Sequence, residues 1–299
     1  MAGPVTDGPT RLSSLDVTDD KNPLGDHLRA RREQVTPESV GLPQVGLRRV
    51  PGLRREEVAM LAGISADYYL RLEQGRDRNP SAQVLESLAR VLQLDATGTE
   101  YLLSLGAGQP RRRRRRPRRE AVPASIRTLL GTLALPAFVE GRCFDVLASN
   151  PLAVAFSPRL AAGGNRLRDI FLNPAEQALY GDWKRAGTAM VAGFRASVGT
   201  DIDDPRFIEL VGELSLASET FRTLWARHDV VPWQGGAVTV HHPQVGEITL
   251  YREKLAITGT DGQLLVVYHP QPGTGDADKL ALLASYALPV HDDAPHPVV

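Results

Sequence analysis

"LAGISADYYLRLEQG", Leu61 to Gly75, sets two amphipathic turns on either side of a Gly-Ile-Ser corner. It places Tyr68 and Tyr69 side by side, and adjacent helical residues cannot share one face. On a helical wheel begun at Ser65, Tyr69 and Leu72 point the same way as Ile64. They are expected to pack against Val58, Leu61 and Ala62 of the preceding helix. Asp67, Leu70, Arg71 and Gln74 point the opposite way, with Tyr68 at the margin. A short helix, a corner containing glycine and a second helix with a polar outer face make a helix-turn-helix. In that unit the second helix lies in the major groove of a duplex, its first residues at the base edges.

Upstream, "LGDHLRARRE" puts Leu24 and Leu28 on one helical face, and a Gly/Pro-containing stretch from Val40 to Gly52 interrupts the pattern. From Leu53 to Leu105 the spacing predicts four more short helices. Ser81, after Pro80, is the expected N-cap of the one carrying Val84, Leu85, Leu88, Val91 and Leu92. The first 20 or so residues hold few apolar anchors and read as a mobile tail. Downstream, "QPRRRRRRPRRE" places eight arginines between Arg111 and Arg119. Charges that dense repel one another and build no core, so this run reads as a linker and a domain boundary.

The chain of 299 residues suggests about two domains, and an apolar fraction of 42% suffices for packed cores. The net charge of zero conceals a division. Residues 1–119 hold 21 Lys and Arg against 15 Asp and Glu, whereas residues 120–299 hold 14 against 20. A basic half joined to an acidic half implies that the first half meets a polyanion. No apolar run approaches the ~20 residues that span a bilayer, and no signal-peptide pattern opens the chain. Cys143 is alone, so no intrachain disulfide forms, which fits a reducing cytoplasm. A cytoplasmic location without membrane contact is therefore expected.

Past the linker, "PAFVEG" and "CFDVLASN" read as a hairpin, with Phe144, Val146 and Ala148 alternating against Asp145, Leu147 and Ser149. A long helix is expected from about Pro174 to Val198, where Trp183, Gly187, Met190, Phe194 and Val198 recur at helical spacing. Helices near 206–216 and 219–228 precede strand-like runs in "GAVTVHH", "EITLYREKLAIT" and "QLLVVYH", and "ADKLALLASYA" closes the pattern. The expected fold is multidomain: an all-α five-helix helix-turn-helix domain, then an α+β domain around one antiparallel sheet. Its divisions are a tail at 1–21, the helical domain at 22–106, the Arg-rich linker at 107–121, the α+β domain at 122–288 and a tail at 289–299.

"PGLRREEVAMLAGISADYYLRLEQGRDRNPS" resembles the Cro/C1-type (XRE-like) helix-turn-helix regulators, and more narrowly the branch carrying an MmyB-like ligand-binding domain. Gly63, Ser65, Tyr69, Leu72, Glu73 and Gly75 fall where that motif places them. "FDVLASNPLAVAF", "DWKRAGTAMVAGFRASVG", "ELVGELSLASETFRTLWARHDV" and "HPQVGEITLYREKL" extend the resemblance to the MmyB-like domain, which is PAS-like and implicated in binding fatty-acyl ligands. The resemblance implies that Ala66, Asp67 and Arg71 face base edges, with Arg71 shaped to grip guanine. Arg71 alternatively touches phosphate or pairs with Asp67 at i,i+4. Arg55, Ser65, Tyr68, Gln74, Arg76 and Arg78 are the expected backbone contacts, which position without reading sequence. An acidic Glu73 facing DNA would be repelled; the resemblance pairs it with Arg32 in a structural ion pair. The stretch from Thr36 to Gly52 departs from the usual tight link, and its Arg48 and Arg49 serve equally as backbone contacts or as a solvated loop. The Arg111–Arg119 run raises affinity for DNA without choosing a sequence, since no aromatic is interleaved to stack on bases.

In the second half no catalytic set assembles. His241 and His242 are adjacent and point to opposite faces of a strand, so they cannot share a metal there. No nucleophile elbow, phosphate loop or dinucleotide fingerprint occurs, so neither an enzyme nor a cofactor or metal site is expected. Cys143 is expected to be packed. The face of Trp183, Met190 and Phe194 is expected to meet a sheet carrying Phe138, Phe144, Val146, Leu250 and Tyr268. These residues either fill the core or, as the resemblance implies, line a pocket for a fatty-acyl ligand. Asn150 is the expected cap of a helix after the hairpin, and "HPQVG", His242 to Gly246, reads as a turn. The function that follows is a transcription regulator acting on double-stranded DNA, a homodimer, with a C-terminal sensor of an apolar small molecule. Its alternative is a protein-interaction regulator, antitoxin-like or an anti-regulator, whose C-terminal half binds a protein.

Overall fold

A computed structural model describes residues 22–43, 50–77, 79–107, 120–199, 203–231 and 235–287. Both tails, the arginines from Arg111 to Arg119, Arg48, Arg49 and Arg78 lie outside the described residues.

Five helices form the N-terminal domain: α1 (Pro23–Gln34), α2 (Arg55–Ala62), α3 (Ala66–Glu73), α4 (Ala82–Val91) and α5 (Ala96–Gly106). Side chains start four of them by accepting an otherwise orphaned amide. Asn22 Oδ1 accepts from Gly25 N at 3.1 Å, Ser65 Oγ from Tyr68 N at 3.1 Å, Ser81 Oγ from Val84 N at 3.3 Å and Asp95 Oδ1 from Gly98 N at 2.7 Å. At the α2–α3 corner Gly63 adopts φ +71°, and Ile64 N returns to Ala59 O at 3.0 Å. That left-handed cap turns the chain sharply enough to cross α3 over α2, and any Cβ there would be strained.

Leu24, Leu28, Leu53, Val58, Tyr69, Leu72, Leu85, Leu88, Leu92 and Leu102 make one core. Each large side chain sealed there contributes roughly 1.5–3 kcal/mol of transfer free energy. Leu61, expected in this core, is 37% exposed. The inward stripe of α2 runs through Val58, Ala59 and Ala62, and Leu61 lies outside it with Met60, bordering a shallow cleft with Ser87 and Arg90.

The C-terminal domain is built on one sheet of β1 (Ala137–Glu140), β2 (Val146–Ser149), β3 (Gly236–His242), β4 (Gly246–Ala256) and β5 (Leu264–Pro270), in the order β2-β1-β5-β4-β3. Every pairing is antiparallel. Phe144, Val146 and Ala148 are buried and Asp145, Leu147 and Ser149 half-buried, but the three apolar residues do not share the one face expected. Phe144 precedes β2 at φ +62°, and a register shift at Val139/Glu140 turns Val146 to the Phe138 side while Ala148 stays beside Val139. Helix α6 (Ala124–Thr132) places Leu130 against Ala137, Val139, Ala148 and Leu265 on one face. The other face carries α7 (Pro151–Phe156) and α13 (Asp276–Ala287). Asn150 caps α7, accepting from Ala153 N at 2.9 Å, and the same oxygen takes Ala137 N at 3.1 Å, tying helix to strand. His242 is buried against Ala155 O at 3.1 Å while His241 is exposed, so the two imidazoles do face apart.

A second helical layer holds α8 (Arg166–Leu172), α9 (Pro174–Leu179), α10 (Trp183–Val198), α11 (Pro205–Ala217) and α12 (Glu219–Ala226). The single helix expected from Pro174 to Val198 is therefore two. Tyr180 leaves helical geometry to bridge Val240, and Asp182 restarts the chain by accepting from Arg185 N at 3.0 Å. The break passes through Gly181, and a strand contact outweighs helix continuity there. Cys143 is buried as expected, and burial, with Asp204 and Asp145 nearby, pushes its thiol up to about 12.

Candidate functional site

The outward face of α3 is set by what lies beneath it. Tyr69 and Leu72 are both fully buried. Ala66, Asp67, Arg71 and Gln74 are exposed, and Tyr68 is half-buried at the edge. Arg71 Nη1 is ion-paired with Asp67, and its guanidinium carbon lies 5.7 Å from the centre of the Tyr68 ring. The i,i+4 pair holds Arg71 along the helix, at a strength of only about 0.3–0.5 kcal/mol for exposed partners, so a stronger acceptor can take the guanidinium away. Ser65 is exposed, but its hydroxyl already accepts from Tyr68 N, so the oxygen works first as a cap. Arg76 is exposed just past the helix.

Glu73 is fully buried and takes a guanidinium on each oxygen. Arg32 Nε donates to Oε1 and Arg55 Nε to Oε2, both at 2.6 Å. Burial alone would raise the carboxyl, but these hydrogen bonds outweigh it and hold Glu73 below the usual carboxylate range. Arg32 also donates to Leu53 O at 3.0 Å, and Asn22 Nδ2 donates to Glu73 O at 2.9 Å. The network pins α1, the start of α2 and the end of α3 together, fixing the angle at which the outward face is presented. The expected Arg32–Glu73 pair is present, and Arg55 joins it. With its Nε committed to Glu73, the Arg55 side chain remains 42% exposed. Arg54, which the sequence reading passed over, is exposed at the N-cap of α2. The signal was its position one residue before a helix start; the backbone amide there already donates to Glu57 at 2.7 Å, so only the exposed guanidinium is offered outward.

The residues expected to line one pocket in the C-terminal domain fall into two clusters. Phe138, Val146, Leu250 and Tyr268 pack with Leu152, Phe156 and Leu283 between the sheet and the α7–α13 layer. Phe144, Met190 and Phe194, with Trp183 at their margin, pack with the second helical layer. A buried ionic triad stands between them. Glu140 Oε2 accepts from Arg166 Nη1 at 2.7 Å, and Glu140 Oε1 is paired with Lys254 Nζ. Arg166 lies over the Phe138 ring at 5.3 Å and Lys254 over the Phe144 ring at 4.9 Å, so one cation faces each cluster. Burial depresses the Lys254 ammonium to about 8, against the opposing pull of Glu140. The strands explain this placement. Glu140 shares a face with Phe138 two residues away, and Lys254 stands in register with Val266, itself opposite Phe138. Periodicity in single segments could not reveal it, because the triad comes from three separate elements.

No helix among the described residues is long and apolar enough to cross a membrane. Residues 122–283 match the family model described as the MmyB-like transcription regulator ligand binding domain, and residues 23–102 match a helix-turn-helix domain. No curated protein matches the chain.

Proposed function

From a chain that belongs to the MmyB-like transcription regulators, and is thus a DNA-binding regulator with a ligand-binding domain, we propose a Cro/C1-type reader that recognises sequence through α3. The observation that carries this reading is the division of α3 into a fully buried Tyr69–Leu72 stripe and an exposed face bearing Ala66, Asp67 and Arg71. Arg71 releases Asp67 and donates to a guanine edge, with Tyr68, Gln74, Arg76 and the helix start at Arg54 and Arg55 on the backbone. One such reader buries a modest interface, so the protein acts as a homodimer on paired half-sites ~34 Å or a multiple apart. It works in the cytoplasm and as a regulator without catalysis.

The C-terminal domain, PAS-like in having helices laid on an antiparallel sheet, takes an apolar ligand of the fatty-acyl kind. Supporting this is the pairing of two apolar clusters with a cation at the boundary of each, which suits a chain with an anionic head. Entry requires the α10 layer to part from the triad, and that movement is what a ligand would convert into a changed dimer. Genome-wide footprinting tests the first half: protected sites without a shared dyad-symmetric sequence count against it. Native mass spectrometry tests the second, where a retained acyl adduct supports the sensor and stoichiometric capture of a protein supports an interaction module instead.

A further inference from the structure

The two domains meet along a seam that neither function above uses. Arg31 of α1 is ion-paired with Asp229 beyond α12 at 2.7 Å, and Gln34 Nε2 donates to Arg227 O at 2.5 Å. The rings of His27 and His228 meet edge to face at 5.9 Å between centroids. Between the domains lies a cleft of about 540 Å³, walled by α1, the start of α5, α10 and the segment after α12. Its size is that of an ordinary small-molecule site.

Three observations say what the cleft would hold. His27 lines it at 1% exposure, yet neither ring nitrogen has a hydrogen-bond partner. Buried polar groups without partners are rare enough to need a reason, and a role in holding a ligand is one. Arg31 Nε, also in this wall, and Arg195 Nε, behind it beside His228, are buried donors lacking acceptors too. Finally, cations outnumber anions: Arg31, Arg185 and Arg227 line the cleft against Asp95 and Asp229. Asp95 caps α5, and Asp229 is shared by Arg31 and Arg227, so the lining keeps one positive charge in excess. Donors without acceptors, under a net positive field, call for an acceptor that carries negative charge.

We propose that the interdomain cleft is a second ligand site, which takes a small organic anion between Arg31, Arg185 and Arg227 with His27 at its floor. The site is shared by both domains, so its occupant touches the reader and the ligand-binding domain at once. It is separate from the apolar clusters flanking Glu140, and neither proposal needs the other.

Calorimetric titration of the full chain with citrate and with inorganic phosphate, each against potassium chloride at equal ionic strength, tests this. Saturable binding of citrate alone marks the site as one for carboxylates, of phosphate alone as one for phosphate esters, and of both as one for either anion. The double variant Arg185→Gln/Arg227→Gln should weaken that binding roughly tenfold or more, two charge-assisted contacts being lost. Arg185 is exposed and Arg227 half-exposed, so the variant should fold as the parent does. Absence of saturable binding by either anion, or affinity unchanged in the double variant, overturns the proposal.

Discussion

Arg55 Nε donates to Glu73 at 2.6 Å, on the carboxylate oxygen that Arg32 leaves free. The two arginines are not equivalent. The Arg32 side chain is 7% exposed and that of Arg55 42%, so loss of the carboxylate falls mainly on Arg32, which keeps only the more distant Glu33 at 3.6 Å as a counter-charge. Glu73→Ala should therefore cost about 3–5 kcal/mol, the penalty for breaking a buried ion pair at one partner. Arg55→Ala should cost about 1 kcal/mol or less, as expected when the partner keeps another cation and the lost group is half in solvent. Urea unfolding of the helical domain's signal measures both. Equal costs would mean that the carboxylate is not shared as described.

The same pair of substitutions separates positioning from reading. Arg55→Ala should weaken binding to all DNA sequences alike. Arg71→Ala should instead remove about 1–3 kcal/mol of discrimination at one base pair while sparing the rest. Selection of binding sites from a random duplex library, repeated with each variant, reads the difference. If Arg71→Ala leaves the base preference intact at every position, α3 does not dock as proposed.

Much of this arrangement was legible in residues 61–75, because a helical face sorts apolar from polar side chains every third or fourth residue. Tyr69 and Leu72 follow from that rule, and the Ser65 and Ser81 caps from a hydroxyl placed one residue before each helix, whereas the bulge that parts Val146 from Ala148 leaves no mark in the apolar pattern. Leu61 did not follow the rule, since an inward stripe built on two alanines leaves a larger neighbour outside it. The break at Tyr180 was equally invisible, because a distant strand residue, Val240, decides it. The triad of Glu140, Arg166 and Lys254 and the meeting of His27 with His228 depend on contacts across more than 20 residues, which no local period encodes.

That triad makes a third prediction. Glu140→Ala should destabilise the C-terminal domain by about 3–5 kcal/mol, since it removes the carboxylate that Arg166 and Lys254 share while both stay buried beside aromatic rings. Replacing all three together by Leu, Met and Met should be far milder, because a well-packed apolar set removes the charges and their desolvation at once. Chemical denaturation of the two variants decides the point. Equal destabilisation would show that the loss is one of packing and not of charge.

Acid should open the seam between the domains before it unfolds either. Burial lowers the His27 imidazole to about 3, with His228, Arg195 and Arg31 adding to the effect. His228 is likewise lowered to about 3 by burial and by Arg195 and Arg31. Tyr101, whose ring meets His27 at 5.3 Å, supplies no charge to offset them. Separated domains return both rings to water, where they titrate near the usual 6.5. Above that pH both forms are neutral and nothing is gained or lost. Between about 6.5 and 3 the open form binds more protons, so the closed form loses about 1.4 kcal/mol per pH unit for each histidine. Small-angle scattering from pH 7.5 to 5 should therefore record a rising radius of gyration while far-ultraviolet circular dichroism stays constant. His27→Gln/His228→Gln should flatten that pH response, and a wild-type radius that does not change over this interval would refute the histidine pair as the seam's acid-labile element.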